Sequence, residues 1–379
     1  MLLIKNATIH NGKKQIFKNT DILVKNGIIS SIGKNIHIQA EVIDATNKVV
    51  IPGFIDPLNV YGTRGLFREN DGSENTDPIL PQMDIIYSMD QDGMNFQELY
   101  TYGITSSGIT PGPQNVMGGQ MGVFKTYGRN PYKMLIKEKV GMAVNLTNAP
   151  KNLYGKRSVM PMTRMGVFAL FESAIKKAME YDSEKDYDAK CEALMPVING
   201  EMPIFVSCYT KMEMKSTEHM LKQFPKIKVV YVGAYGIDRD FEPVKTKKSP
   251  LILGDLTSAM SSINQHINFE DIEDMMNDGA VIACGNAGEY YASGKENLLW
   301  NALLWHKGGV SAENVLSAIT YNPAKILGVD DRVGTIEIGK DADIAIWSNN
   351  PITTYNAQLV AIYQNGENLL TKEKYRSCW

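Results

Sequence analysis

Few side chains in this chain combine a reactive type with a useful spacing. Lys125 lies in the stretch GVFKTYG. A pocket lysine there could bind an anion, or act as a base if burial lowers its pKa. It could equally be paired with a nearby carboxylate. Arg164, in PMTRMG, opens an apolar-periodic stretch. Its guanidinium could hold a carboxylate through two parallel hydrogen bonds, or fix a loop by a salt bridge. Asp56 closes the apolar run VVIPGFID, where a carboxylate can accept backbone hydrogen bonds or cap the following turn. Asn59 and Asn286 are polar, but an amide cannot serve as a general base. Cys284 stands two residues before Asn286, so on a strand the two share a side. With no histidine near it in sequence, it reads as inert core. The five histidines, His10, His37, His219, His266 and His306, are scattered. Of these, His266 falls in a stretch that reads as a loop at the strand ends. The glycine-rich GPQNVMGGQMG carries neither a P-loop nor a G-x-G-x-x-G pattern. It reads as a tight loop over a pocket.

These residues need a scaffold, and the composition bounds it. The chain has 379 residues, a net charge of -3 and 21% charged residues, an ordinary soluble composition. Nothing in that balance suggests a nucleic-acid surface, and the basic run at 245–248 reads as a solvated loop. Four cysteines, Cys191, Cys208, Cys284 and Cys378, are too sparse for a disulfide framework. No apolar stretch approaches the roughly 20 residues of a membrane span, and the amino terminus has no signal-like apolar core. A cytoplasmic protein with reduced thiols is expected. Its expected partners are a small-molecule ligand or further copies of itself, with neither nucleic acid nor membrane.

The two ends of the chain share one grammar. Residues 1–52 are short strands punctuated by Asn-Gly turns, and 334–348 and 359–370 read as two further hairpins. Between them, eight apolar runs alternate with helical patterns: 49–56, 103–110, 122–128, 140–147, 203–210, 228–235, 250–255 and 280–286. Helical spacing is clearest at 163–182, 213–224, 269–279 and 295–308. The fold expected is α/β, a (β/α)8 TIM-like barrel over residues 53–332. A small composite β-sandwich is expected from 1–52 with 333–379. Long loops at 63–92 and 108–120 should shape the mouth.

With these pieces placed, the chain resembles the amidohydrolase superfamily. The opening β segment followed by V-I-P-G-F-I-D carries the resemblance, as does TYNPAKILGVDDRVGTIEIGKDADIAIWS at 320–348. The pieces TDP (76–78), GPQNVMGGQ, KTYG (125–128) and PMTRMG (161–166) are similar to a bacterial, imidazolonepropionase-like branch. The resemblance implies hydrolysis of non-peptide carbon–nitrogen bonds in cyclic or linear amides. It also implies one or two divalent metals such as zinc, bound at the top of the barrel and activating a water. It places an H-x-H directly after the first-strand aspartate, where this chain has Leu58 and Val60. Further ligand positions fall near Ser207 and Tyr209, near Gly233, and at Asn286, and none of these windows holds a histidine. The resemblance also associates a strand-end lysine such as Lys125 with carboxylation and metal bridging.

The expectation is therefore an amidohydrolase-like protein without its metal centre or catalysis, acting as a ligand-binding or partner protein and using no metal or other cofactor. Tyr209 and Tyr235 would fill the vacated space, since buried unpaired carboxylates would be costly. The alternative is an active C–N hydrolase with an altered or metal-free site, in which Lys125, Arg164 and His266 converge. A purely structural subunit would have a filled barrel mouth.

Overall fold

The computed structural model describes residues 1–64, 70–93, 96–246, 249–254, 256, 267–286 and 295–371. His266, Cys378 and the lysines at 247–248 lie outside them. Two eight-stranded sheets organise the chain.

The first sheet draws on both ends of the sequence. Strands β1 (Leu2–His10), β2 (Ile16–Lys25), β3 (Ile28–Gly33), β4 (Glu41–Asp44) and β5 (Val49–Pro52) come from the amino terminus. β1 pairs with β2 antiparallel and with β4 and then β5 in parallel. The hairpin expected within 334–348 is corrected. Only Ile344–Trp347 is a strand there, and it pairs antiparallel with β5 on one side and with Leu359–Gln364 on the other. The last turn is as its sequence suggests. Asn365 and Gly366 have φ of 50° and 74°, as the two central residues of a type I′ hairpin require.

The second sheet is the barrel. Its strands are β6 (Phe54–Asn59), β7 (Ile104–Ile109), β8 (Met117–Lys125), β9 (Leu135–Asn145), β10 (Ile204–Cys208), β11 (Val229–Gly233), β12 (Leu251–Leu253) and β13 (Ile282–Cys284). All eight expected runs contribute a strand to it, but the run 49–56 is divided. Val49–Pro52 belongs to the first sheet, and Gly53 is the crossing point. A Cβ at Gly53 would sit 2.1 Å from the Thr105 hydroxyl oxygen, so only glycine permits this approach. Regular (β/α)8 alternation is also corrected. β8 runs antiparallel to β7 and β9, so these three strands form a meander. A meander needs no crossover helix, which accounts for the helix that alternation expected there.

From β9 onward the parallel βα pattern holds. Alternation along each strand divides two cores. Phe205, Val230, Val232, Ile252 and Ala283 point inward and meet Ile55, Leu58, Met121 and Val123. Val206, Cys208, Tyr231, Leu253 and Cys284 point outward into the shell of helices. The helix Tyr321–Leu327 closes one end of the interior with Ala324, Ile326 and Leu327, and stops at left-handed Gly328. Among the described residues no helix is long and apolar enough to cross a membrane.

Candidate functional site

The carboxyl ends of barrel strands are where such a scaffold places its chemistry. Leu58 and Val60 do point to the interior, as their spacing suggests. They are 1% and 5% exposed and belong to the same apolar cluster as Met121, Val123 and Phe205. Leu58 also borders a cavity of about 10 Å³, with Thr110, Pro111, Asn145, Phe205 and Ser207 around it. That is room for one water molecule at most. The segment 110–118 forms one wall of this cavity, in keeping with a tight loop over the mouth.

Ser207 and Tyr209 both follow the inward parity of Phe205. Tyr209 is held from its amino side by a helix cap. In the T-K-M-E stretch, Thr210 caps the helix Lys211–Leu221 and Glu213 completes a capping box. The buried Glu213 carboxylate accepts the backbone N–H groups of Tyr209 at 2.8 Å and Thr210 at 3.0 Å. The Tyr209 ring then lies 5.8 Å from that of Tyr235 and against Gly233. A Cβ on Gly233 would fall 2.3 Å from Tyr209 Cδ1. A side chain from the end of β10 therefore occupies the space that a side chain at the end of β11 would need.

Asn286 is placed differently. It shares the outward parity of Cys284, and its amide donates to Asp56 Oδ2 at 2.9 Å. Asp56 is fully buried and also accepts from Asn59 Nδ2 at 3.1 Å and the Leu58 N–H at 3.3 Å. Asn59 reaches on to Ser107, and Asn301 of the helix Asn297–Lys307 reaches Asn286 at 3.5 Å. Burial lifts the Asp56 carboxyl to about 6, against the pull of donors from Asn59, Leu58 and Asn286. This network ties the end of β6 to the segment after β13. It fits the hydrogen-bonding role read for Asp56.

Lys125 lies at the opposite end of the barrel. Because β8 is antiparallel, its last residue pairs with Ser106, near the start of β7. The ammonium is buried and bridges Asp341 at 2.9 Å and Asp343 at 2.6 Å, and Arg332 holds Asp341 at 2.8 Å. Of its possible roles, this placement matches pairing with carboxylates. Arg164 is exposed at the first turn of the helix Arg164–Met179 and borders a groove between that helix and Lys211–Leu221. Lys125 and Arg164 thus line separate hollows. Burial raises the Cys208 thiol well above its usual range, and the Glu213 charge adds to the shift.

A zinc-type ion requires imidazole, thiolate or carboxylate donors. Leu58, Val60 and Gly233 offer no donor, Ser207, Tyr209 and Asn286 offer neutral oxygens, and both Asp56 oxygens already accept hydrogen bonds. These residues do not fit such an ion. Among the described residues no group of three or more His, Cys, Asp or Glu side chains converges to hold one.

Comparison with known proteins bears on the scaffold. Residues 228–369 match the model of the amidohydrolase family. An amidohydrolase from Thermotoga maritima superposes with a TM-score of 0.87 at 27% identity, covering 97% of this chain and 99% of that one. The fold is the amidohydrolase fold. The zinc-complexed atrazine chlorohydrolase of Arthrobacter aurescens shares it at a TM-score of 0.56 and 15% identity, over 97% of this chain and 95% of that one. Amidohydrolase tasK of Hapsidospora irregularis is 22% identical over 88% of this chain, and this chain spans 38% of its length. Dihydropyrimidinase 1 of Caenorhabditis elegans is 52% identical over 58 residues, 15% of this chain and 12% of that protein.

Several residues that build the site carried little isolated signal. Glu213 was readable as the fourth residue of a capping box. Asp341 and Asp343 stand in the K-D-A-D of the family-like stretch, yet their pairing with Lys125 spans more than two hundred residues and leaves no local mark. Ser107 and Asn301 become part of the Asp56 network only through the fold.

Proposed function

We propose that this chain is an amidohydrolase-fold protein that has given up metal-dependent hydrolysis of carbon–nitrogen bonds and works by binding. The carrying observation is that Leu58 and Val60, where the family-like pattern places its H-x-H, are buried in the apolar core of the barrel. The reading extends to the imidazolonepropionase-like branch through GPQNVMGGQ, KTYG and PMTRMG. Among the described residues the space beside Leu58 is a cavity of only about 10 Å³ enclosed by apolar and neutral side chains, which supports binding over metal-dependent hydrolysis at that position.

Elemental analysis of protein expressed with added zinc and manganese tests this directly. It is paired with turnover assays on cyclic amides and N-acyl amino acids. The expected result is metal well below one ion per chain and no turnover. Near-stoichiometric metal together with metal-dependent hydrolysis would overturn the proposal.

A further inference from the structure

The helix Arg164–Met179 buries Val167, Phe171, Ile175 and Ala178 against the barrel. A second apolar line runs beside that face toward solvent. Met165 is 80% exposed and Met179 58%, with half-buried Phe168 between them. Two hollows follow this line. One, of about 530 Å³, lies against the helix Lys211–Leu221 and is walled by Met165, Phe168 and Met212. The other, of about 420 Å³, continues along Ile175 and Met179 to Met195 and Phe224. Gln223 borders both, so the two hollows adjoin and together make the groove beside this helix. The helix they follow, from Arg164 to Met179, is about 22 Å long at 1.5 Å per residue, the length of a four-turn helix.

Its chemistry narrows the occupant. Unbranched thioether side chains adapt to an incoming apolar face. The charged side chains on its walls are unequal in sign. Arg164, Lys215 and Lys226 are cationic, while Glu172 is bridged by Lys176 at 2.7 Å. A second copy of this chain would bring the same positive surplus against itself. We propose that the groove docks an amphipathic helix of a partner protein, with apolar residues at i, i+3, i+4 and i+7 and acidic residues on its flanks. This does not depend on whether the barrel retains turnover.

Two labelled peptides of about 16 residues test it, matched to the length of the helix Arg164–Met179. They share one leucine and phenylalanine stripe and differ in carrying glutamate or lysine on the flanks. Fluorescence anisotropy is read with the full chain at about 0.05 and about 0.3 M salt. The acidic peptide should bind at least about tenfold tighter, with an advantage that shrinks at the higher salt. Arg164→Glu with Lys215→Glu should reverse the preference, and both sites are exposed, so folding is checked by circular dichroism. Equal affinity for both peptides, no binding of either, or binding indifferent to the charge reversal would overturn the proposal. Sedimentation provides a further arm. A dimer that dissociates on Met165→Glu would assign the groove to a second copy instead.

Discussion

Gly233 and Tyr209 offer the most direct test of how the barrel mouth is filled. Gly233 has a φ of 87°, in the left-handed region, where a Cβ costs about 1–2 kcal/mol. Its missing Cβ would also meet Tyr209 Cδ1 at 2.3 Å. The ring cannot simply swing away, because it is 3% exposed and rests against Tyr235. Overpacking of this kind costs about 1–3 kcal/mol. Gly233→Ala should therefore destabilise by about 2–5 kcal/mol. Tyr209→Ala alone should cost about 3–5 kcal/mol, the range for deleting a buried aromatic ring. The double variant should cost less than the sum by about 1–3 kcal/mol, because the clash goes with the ring while the backbone strain remains. Urea unfolding followed by the emission of buried Trp305 and Trp347 reads all four proteins. Additivity within about 0.5 kcal/mol would show that the two residues do not compete for one space, and the reasoning would fail.

Other perturbations probe the remaining parts. Leu58→His should cost about 2–4 kcal/mol by burying an imidazole among aliphatic side chains, and added zinc should not restore the loss; a zinc-dependent rise in melting temperature would contradict the misfit of donors. Lys125→Met should cost about 3–5 kcal/mol by leaving the buried Asp343 carboxylate without a cation and Asp341 with Arg332 alone, with part of the loss recovered in Lys125→Met/Asp343→Leu; a neutral single variant would mean the ion pairs are not formed. Asp56 holds its proton more tightly folded, at about 6 against an ordinary 3.8. Its contribution is therefore fully present below about pH 4 and falls by about 3 kcal/mol as pH rises to about 6. The stability difference between the parent and Asp56→Asn should follow that fall, and a flat difference from pH 4 to 7 would refute the burial argument.

Much of the scaffold is legible in the sequence because local pattern and burial agree. Strands buried on both faces read as continuous apolar runs, and every one of the eight was visible. Strand direction was not visible. β8 is as apolar as its neighbours, and only its pairing with β7 and β9 distinguishes a meander from a crossover. The same gap separates the two readings of Lys125. A lysine at a strand end faces the mouth of a regular barrel, but reversing one strand carries it to the other end and onto Asp341 and Asp343. Leu58 and Val60 lie in the same interior apolar cluster as Ile55 and Phe205, although β6 does not alternate strictly, its register being irregular between Asp56 and Asn59. Inward parity gave the wrong destination for Asn286, whose amide turns to the seam between the first and last strands.

The seam also explains why Asp56 keeps its carboxylate while Leu58 and Val60, two and four residues on, are aliphatic. An imidazole pointing into the barrel is useful there only if a metal and other ligands face it. Without them it is a polar group to be desolvated, and an aliphatic side chain packs better. Asp56 answers to a different need. Among the described residues no ladder pairing joins β6 to β13, yet the closing contact must still satisfy buried polar groups. The carboxylate does so by accepting donors from both sides, Leu58 and Asn59 on one strand and Asn286 beyond the other. Replacing it with an apolar residue would orphan these donors at about 1–3 kcal/mol each. The mouth thus separates into groups that serve closure of the sheet and groups that would serve a metal. On the proposed reading, a histidine introduced at position 233 would meet the Tyr209 ring, because the two residues fill one volume together and would have to be replaced as a pair.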